Sequence, residues 1–136
     1  MSSVQVRVRA GAEDYAIPVE SVLEIAEPGD VTPVPGAPAE VLGVRNLRGQ
    51  VLPVINVATV FGLPDEAPLE RIVVVEDGDR TAGLAVEAVL DVAELAEPAG
   101  DSDSSLLAGT VLSDGTLIGV VDVRALLDAI QAGEAR

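Results

Sequence analysis

The chain has 136 residues, with 23 carboxylates against 8 cationic side chains and a formal charge of −15. That acidity excludes nucleic acid and anionic membrane surfaces as partners, because both repel it. His, Cys and Lys are absent, so imidazole bases, thiolate nucleophiles, zinc sites, P-loop lysines and Schiff bases are unavailable.

In chain order, Val4, Val6 and Val8 alternate with Gln5, Arg7 and Arg9, the period of a strand with one wet face. A turn at Gly11 leads to a return strand, Tyr15–Val19, and a third strand follows over Val22–Ala26. Pro28, Gly29, Pro33, Pro35, Gly36 and Pro38 make the next stretch a loop, since each proline fixes φ and removes a donor. Val41–Leu47 and Gln50–Ile55 form a hairpin whose corner is Arg48-Gly49, with Gly43 expected at a bulge and Gly49 at positive φ. Asn56 is a helix N-cap. After a joint at Pro64–Pro68 the pattern returns in strands Arg71–Glu76, Thr81–Val86, Val89–Leu95, Leu107–Leu112 and Thr116–Val121. Asp114-Gly115 suits a type I′ turn. Asp122 caps a closing helix with Val123, Leu126, Leu127 and Ile130 on one face and Gly133 as its expected stop.

The second run of elements copies the first. At an offset of 67, Gly11–Glu27 lies on Gly78–Glu94 with identities at Gly11, Val19, Glu20, Val22, Leu23, Ala26 and Glu27. At an offset of 66, Gly43–Phe61 lies on Gly109–Leu127 with matches at Gly43, Gly49, Val54 and Val57. An internal duplication accounts for both. Five short strands per copy predict two small barrels, because closure removes exposed edges. One lobe is expected at about 4–63 and the other at about 69–131.

Two motifs resemble the CheW-like family of chemotaxis coupling proteins. One is Gly43-Val44-x-Asn46-Leu47-Arg48-Gly49 followed by Val51-Leu52-Pro53-Val54-Ile55 and Phe61-Gly62; the other is Tyr15-x-Ile17-x-Val19-x-x-Val22-x-Glu24-Ile25. The resemblance covers nearly the whole chain as one CheW-like domain. It implies a mostly β fold of two tandem five-stranded SH3-like barrels, a short helix after the first and a C-terminal amphipathic helix. It also implies a non-catalytic adaptor without cofactor or metal. The partners implied are the regulatory domain of the histidine kinase CheA and the cytoplasmic tip of chemoreceptors. Val22, Glu24, Ile25, Arg48, Val89 and Val92 match a receptor-binding groove, and Arg71 and Ile72 match a kinase-facing edge.

Other readings stand beside this one. The four apolar groove residues are also ordinary candidates for core, and Arg48 for a solvated turn. A divergent adaptor of a non-chemotactic two-component or pilus pathway fits the same motifs. A small carboxylate-dependent hydrolase using Asp14, Glu24 and Asp91 is remote, since no aromatic platform accompanies them. Asp101–Ser105 opens like a calcium loop, but Leu106 and Leu112 stand where Gly and Glu belong. No apolar run is long enough to span a bilayer and no basic leader opens the chain, so no membrane insertion is expected. The lack of cysteine points to the cytoplasm.

Overall fold

The computed structural model describes residues 2–64, 67–100 and 104–134. The expected joint at Asp65-Glu66 and the rejected calcium-loop start at Asp101-Ser102-Asp103 lie outside them. Among the described residues ten strands form in chain order: β1 Ser2–Ala10, β2 Glu13–Pro18, β3 Val22–Ala26, β4 Val41–Leu47, β5 Gln50–Asn56, β6 Arg71–Asp77, β7 Arg80–Val86, β8 Ala88–Ala96, β9 Leu107–Ser113 and β10 Thr116–Val121. A 3-10 turn at Val19–Ser21 precedes β3; helix α1 is Val57–Val60 and helix α2 is Val123–Glu134.

The strands make two five-stranded sheets, ordered β8-β1-β2-β10-β9 and β3-β6-β7-β5-β4. We call them the first and second sheet. Neither is one half of the sequence. The β1–β2 hairpin joins β8, β9 and β10, while the β6–β7 hairpin joins β3, β4 and β5. The duplication is therefore intertwined, and a division into sequential lobes at 4–63 and 69–131 does not describe the sheets. Registers repeat to the residue. Val8 opposite Tyr15 becomes Val75 opposite Ala82, and Val6 opposite Val92 becomes Val73 opposite Ile25.

The closed barrels expected from the strand count do not form. Each sheet ends on two edge strands, β8 and β9 in the first and β3 and β4 in the second. Bulges at Gly43 and Gly109, with φ of 151° and 149°, curl each sheet toward closure. In the second sheet the remaining gap is spanned by arginine side chains instead of a backbone ladder.

Burial follows this plan. A central core between the sheets includes Val8, Ile17, Ile55, Leu84, Val121 and Leu126. Tyr15 and Phe61 stack within it at 4.6 Å. Inside the curl of the first sheet lie Ala16, Leu95, Val111, Ile118 and Val120; inside the second lie Leu52, Val54, Ile72, Val74 and Ala85. Val123, Leu126, Leu127 and Ile130 all bury, as the helical spacing predicts. Asn56 Oδ1 accepts the Ala58 N–H at 3.1 Å, and Asp122 Oδ1 accepts the Ala125 N–H at 3.0 Å, so both caps form. Helix α2 runs one residue past Gly133, so that glycine sits in the last turn and does not end the helix.

Candidate functional site

The β4–β5 corner forms as its sequence requires. Arg48 and Gly49 take φ of 54° and 82°, as Asp114 and Gly115 take 50° and 79° at the matching corner. Asn46 Oδ1 accepts the Gly49 N–H at 3.1 Å and holds the turn from inside. The corner thus presents Arg48 outward, with its side chain 76% exposed.

That guanidinium does not stand alone. Arg48 Nε donates to Glu24 Oε2 at 2.9 Å and Nη2 donates to Oε1 at 3.2 Å, a two-pronged pair between the β4–β5 tip and β3. Three residues earlier, Arg45 Nη1 donates to the Glu27 carbonyl just beyond β3. Since β3 and β4 are the two edges of the second sheet, these arginines clasp its open side. The hydrogen bond from Arg48 holds the Glu24 carboxyl below the usual range, helped by the charges of Arg48 and Arg45. Reciprocally, Glu24 holds Arg48 more firmly in its charged form.

The four apolar candidates prove to be two pairs of duplicated positions, Val22 with Val89 and Ile25 with Val92. Val22 opposes Val75 and Val89 opposes Val8, and both pack partly buried against the central core. Ile25 opposes Val73 and Val92 opposes Val6; directly opposed residues share a face, so these two also point to the inter-sheet side. They remain 42% and 57% exposed because β3 and β8 are edge strands. The Val19–Ser21 turn touches both β1 and β6, at the seam between the sheets. Val22 and Ile25 on β3 and Val89 and Val92 on β8 thus face the inter-sheet side from the edge strands of the two sheets, whereas Glu24 opposes Val74 and turns with it to the other face of β3, where Arg48 meets it.

The kinase-facing pair divides. Arg71 is exposed, and its Nη1 donates to the Glu70 carbonyl at 2.7 Å. Ile72 is 2% exposed inside the second sheet, so its side chain is core and not a contact surface. Strand alternation separates the two, because neighbouring residues point to opposite faces.

Sequence reasoning missed a polar cluster on the first sheet. Arg7 Nη1 meets Asp91 Oδ2 at 3.0 Å and Arg7 Nη2 meets Asp14 Oδ2 at 3.6 Å, while Arg9 Nε donates to Asp14 Oδ1 at 3.1 Å. The Arg9–Asp14 part was available as a directly opposed pair in the β1–β2 register. These contacts tie Asp14 and Asp91 to arginines instead of facing them as an acid and a base. Among the described residues, the two carboxyls whose acidity is clearly displaced, Glu24 and Asp77, are both lowered, Asp77 by hydrogen bonds from Arg80 and then Arg124. General acid catalysis asks for the opposite displacement.

An arginine-clasped sheet edge and exposed apolar side chains on the edge strands make a surface suited to holding another protein. The CheW-like domain model matches residues 5–131, and the chain belongs to the CheW-like family, the adaptors of chemotaxis-type signal transduction. It is 33% identical to a chemotaxis protein CheW of Rhizobium meliloti, over 94% of this chain and 86% of that one. It is 32% identical to a chemotaxis protein CheW of Thermotoga maritima, over 88% and 83%. The crystal structure of the scaffolding protein TtCheW from Thermoanaerobacter tengcongensis superposes with a TM-score of 0.84 at 27% identity, covering 93% of this chain and 88% of that one. Among the described residues no helix is long and apolar enough to cross a membrane.

Proposed function

We propose that the chain couples chemoreceptors to the histidine kinase CheA in the cytoplasm by contacts alone, catalysing nothing itself. The receptor's cytoplasmic tip would lie along the seam of Val22, Ile25, Val89 and Val92, and the Arg71 edge would face the kinase regulatory domain. The observation that carries this reading is the Glu24–Arg48 pair on the edge strand that also carries Val22 and Ile25. An exposed ion pair adds little to folding, so its value lies in orientation. Glu24 holds the guanidinium at a fixed angle on that edge, where its remaining N–H groups are free to set the register of a docked helix.

The experiment is co-sedimentation with a candidate receptor tip and kinase, together and separately. Arg48→Glu is expected to weaken receptor binding about tenfold, an interfacial attraction being turned into repulsion, while kinase binding changes little. Unchanged receptor binding by Arg48→Glu would remove Arg48 from the interface. Loss of kinase binding alone would move the Arg48 contact to the other partner.

A further inference from the structure

The duplication supplies an internal template for a second docking surface. On the second sheet, Pro53, Arg80, Thr81 and Ala82 form one wall of a crevice, and Leu127, Ile130 and Gln131 of α2 form the other. The duplicated positions on the first sheet are Gly119, Glu13, Asp14 and Tyr15, and they line a groove of about 230 Å³. Among the described residues it takes Leu63 from beyond α1, which stops after four residues where α2 runs for twelve. Leu107 and Leu117 complete the apolar lining.

Beyond the groove the apolar surface continues uncovered. Leu112 and Leu117 face each other directly across β9 and β10 and are 72% and 61% exposed. Their duplicated positions on the second sheet are Asn46 and Val51, a pair with one polar member. Two large aliphatic side chains side by side at the mouth of an apolar groove are a poor solvent surface and a good docking one.

Charge says what the occupant carries. On the second sheet Arg80 Nη1 pairs with Asp128 of α2 at 2.6 Å, fixing that helix to the sheet. At the duplicated place the first sheet has Glu13, which is exposed and makes no ion pair among the described residues. We propose that the groove docks an amphipathic helix of a partner protein, apolar at i and i+3 and bearing a lysine or arginine against Glu13. It is an external counterpart of α2 with the polarity of the anchoring pair reversed. A second copy of this chain is disfavoured as occupant by the charge of −15 on each.

The probe is a stapled peptide of sequence 123–134 with Asp128→Lys, titrated into the full-length isotope-labelled protein and followed by amide chemical shifts. Saturable shifts at Thr110, Leu112, Leu117 and Gly119 are expected. The unaltered Asp128 peptide should bind about tenfold more weakly, and Glu13→Lys in the protein should invert that preference, an ion pair being exchanged for a repulsion. Leu117→Ser changes an exposed side chain, so it keeps the dispersed spectrum while losing peptide binding. Shifts confined to the α2 crevice, a preference that ignores Glu13→Lys, or no saturation at millimolar peptide overturns the proposal.

Discussion

The two sheets share strand order, register and turn geometry, yet differ in what fills them and how they are closed. In the first, Gln5, Arg7 and Asp14 occupy the inner face; the duplicated positions in the second are Ile72, Val74 and Thr81. Gln5 is 3% exposed, and Arg7 reaches Asp14 and Asp91 from within the sheet. In the second, Ile72 and Val74 are both 2% exposed in an apolar cluster. The edge acids differ in the same sense. Asp91 of β8 is held by Arg7 of the neighbouring strand, whereas its duplicate Glu24 of β3 is held by Arg48 from across the open edge. One backbone plan thus tolerates either a polar or an apolar interior. Placing the arginine inside or at the corner decides which sheet carries a cationic tip, the matching corner of the first sheet being the acidic Asp114.

The widest test of that difference exchanges the interiors. Val74→Arg places a guanidinium among Leu52, Val54 and Ala85, where the opposed carboxylate of Glu24 is already held by Arg48 and Thr81 stands in place of Asp14, and should destabilise by about 3–5 kcal/mol in urea unfolding. The converse Arg7→Val leaves Asp14 still paired to Arg9, so the loss should be nearer about 1–2 kcal/mol. Equal effects would mean that the polar cluster does not compensate for burial in the first sheet.

Next come the bulge glycines. A Cβ on Gly43 would run into the Thr32 carbonyl oxygen and the Pro33 backbone, whereas one on Gly109 would meet the Pro98 Cβ at 2.9 Å. Both positions also have φ that L side chains rarely adopt. Gly43→Ala should therefore cost about 3 kcal/mol and Gly109→Ala about 1–2 kcal/mol, because the added Cβ meets backbone at Gly43 but first a side-chain atom at Gly109, and the Thr32–Val44 bridge is tight at 2.8 Å in both directions where the matching Ala99–Thr110 bridge is 3.0 and 3.3 Å. Thermal unfolding of the two variants side by side measures the gap, and the reverse order would show that the loop at 32–33 yields more readily than Pro98.

These contrasts mark where sequence reading succeeds and fails. Strands, corners, caps and the duplication are written in local patterns, such as Val4-x-Val6-x-Val8 or Asp114-Gly115, and all formed. The intertwining was not legible. A hairpin such as β1–β2 has the same alternation whether it lies beside β3–β5 of its own copy or β8–β10 of the other, and both arrangements satisfy the same registers. Only long-range packing chooses between them. Arg48 at a hairpin tip was legible from Arg48-Gly49, but its attachment to Glu24 depends on how far the sheet curls. Ile72 was misassigned for a related reason, since its neighbour Arg71 marks an exposed edge while alternation turns Ile72 inward.

Tyr15 offers a cleaner optical test, since it is the chain's one tyrosine and its duplicate is Ala82. Burial, and secondarily the charge of Glu13, pushes its phenol from 10.0 up to about 12. Above pH 10 an unfolded chain ionises this group while the folded chain keeps it neutral, so stability should fall as pH rises from 10 toward about 12. Absorbance titration should find the midpoint near the upper value, and Glu13→Gln should lower it without restoring 10, because burial is the larger cause. A midpoint at 10 in the folded protein would mean that the central core at Tyr15 is open to water.

The smallest expected effect on stability belongs to the corner pair, and it separates the structural role of Arg48 from the one proposed for it in binding. Because the folded carboxyl of Glu24 is held below its ordinary value, the pair contributes fully above the unfolded pKa and is lost as pH falls through the folded one. Carbon-detected titration should place Glu24 below an ordinary glutamate, and Arg48→Ala should return it upward. The melting temperature should barely move in that variant, since the pair is solvent-exposed and Arg45 still ties β4 to the Glu27 carbonyl. Exchanging the two charges, Glu24→Arg with Arg48→Glu, restores the pair across the gap but moves the guanidinium from the tip to β3. If the exchanged protein binds receptor as well as the parent, the pair matters only as a clasp; if it folds normally and binds poorly, the guanidinium must sit at the corner.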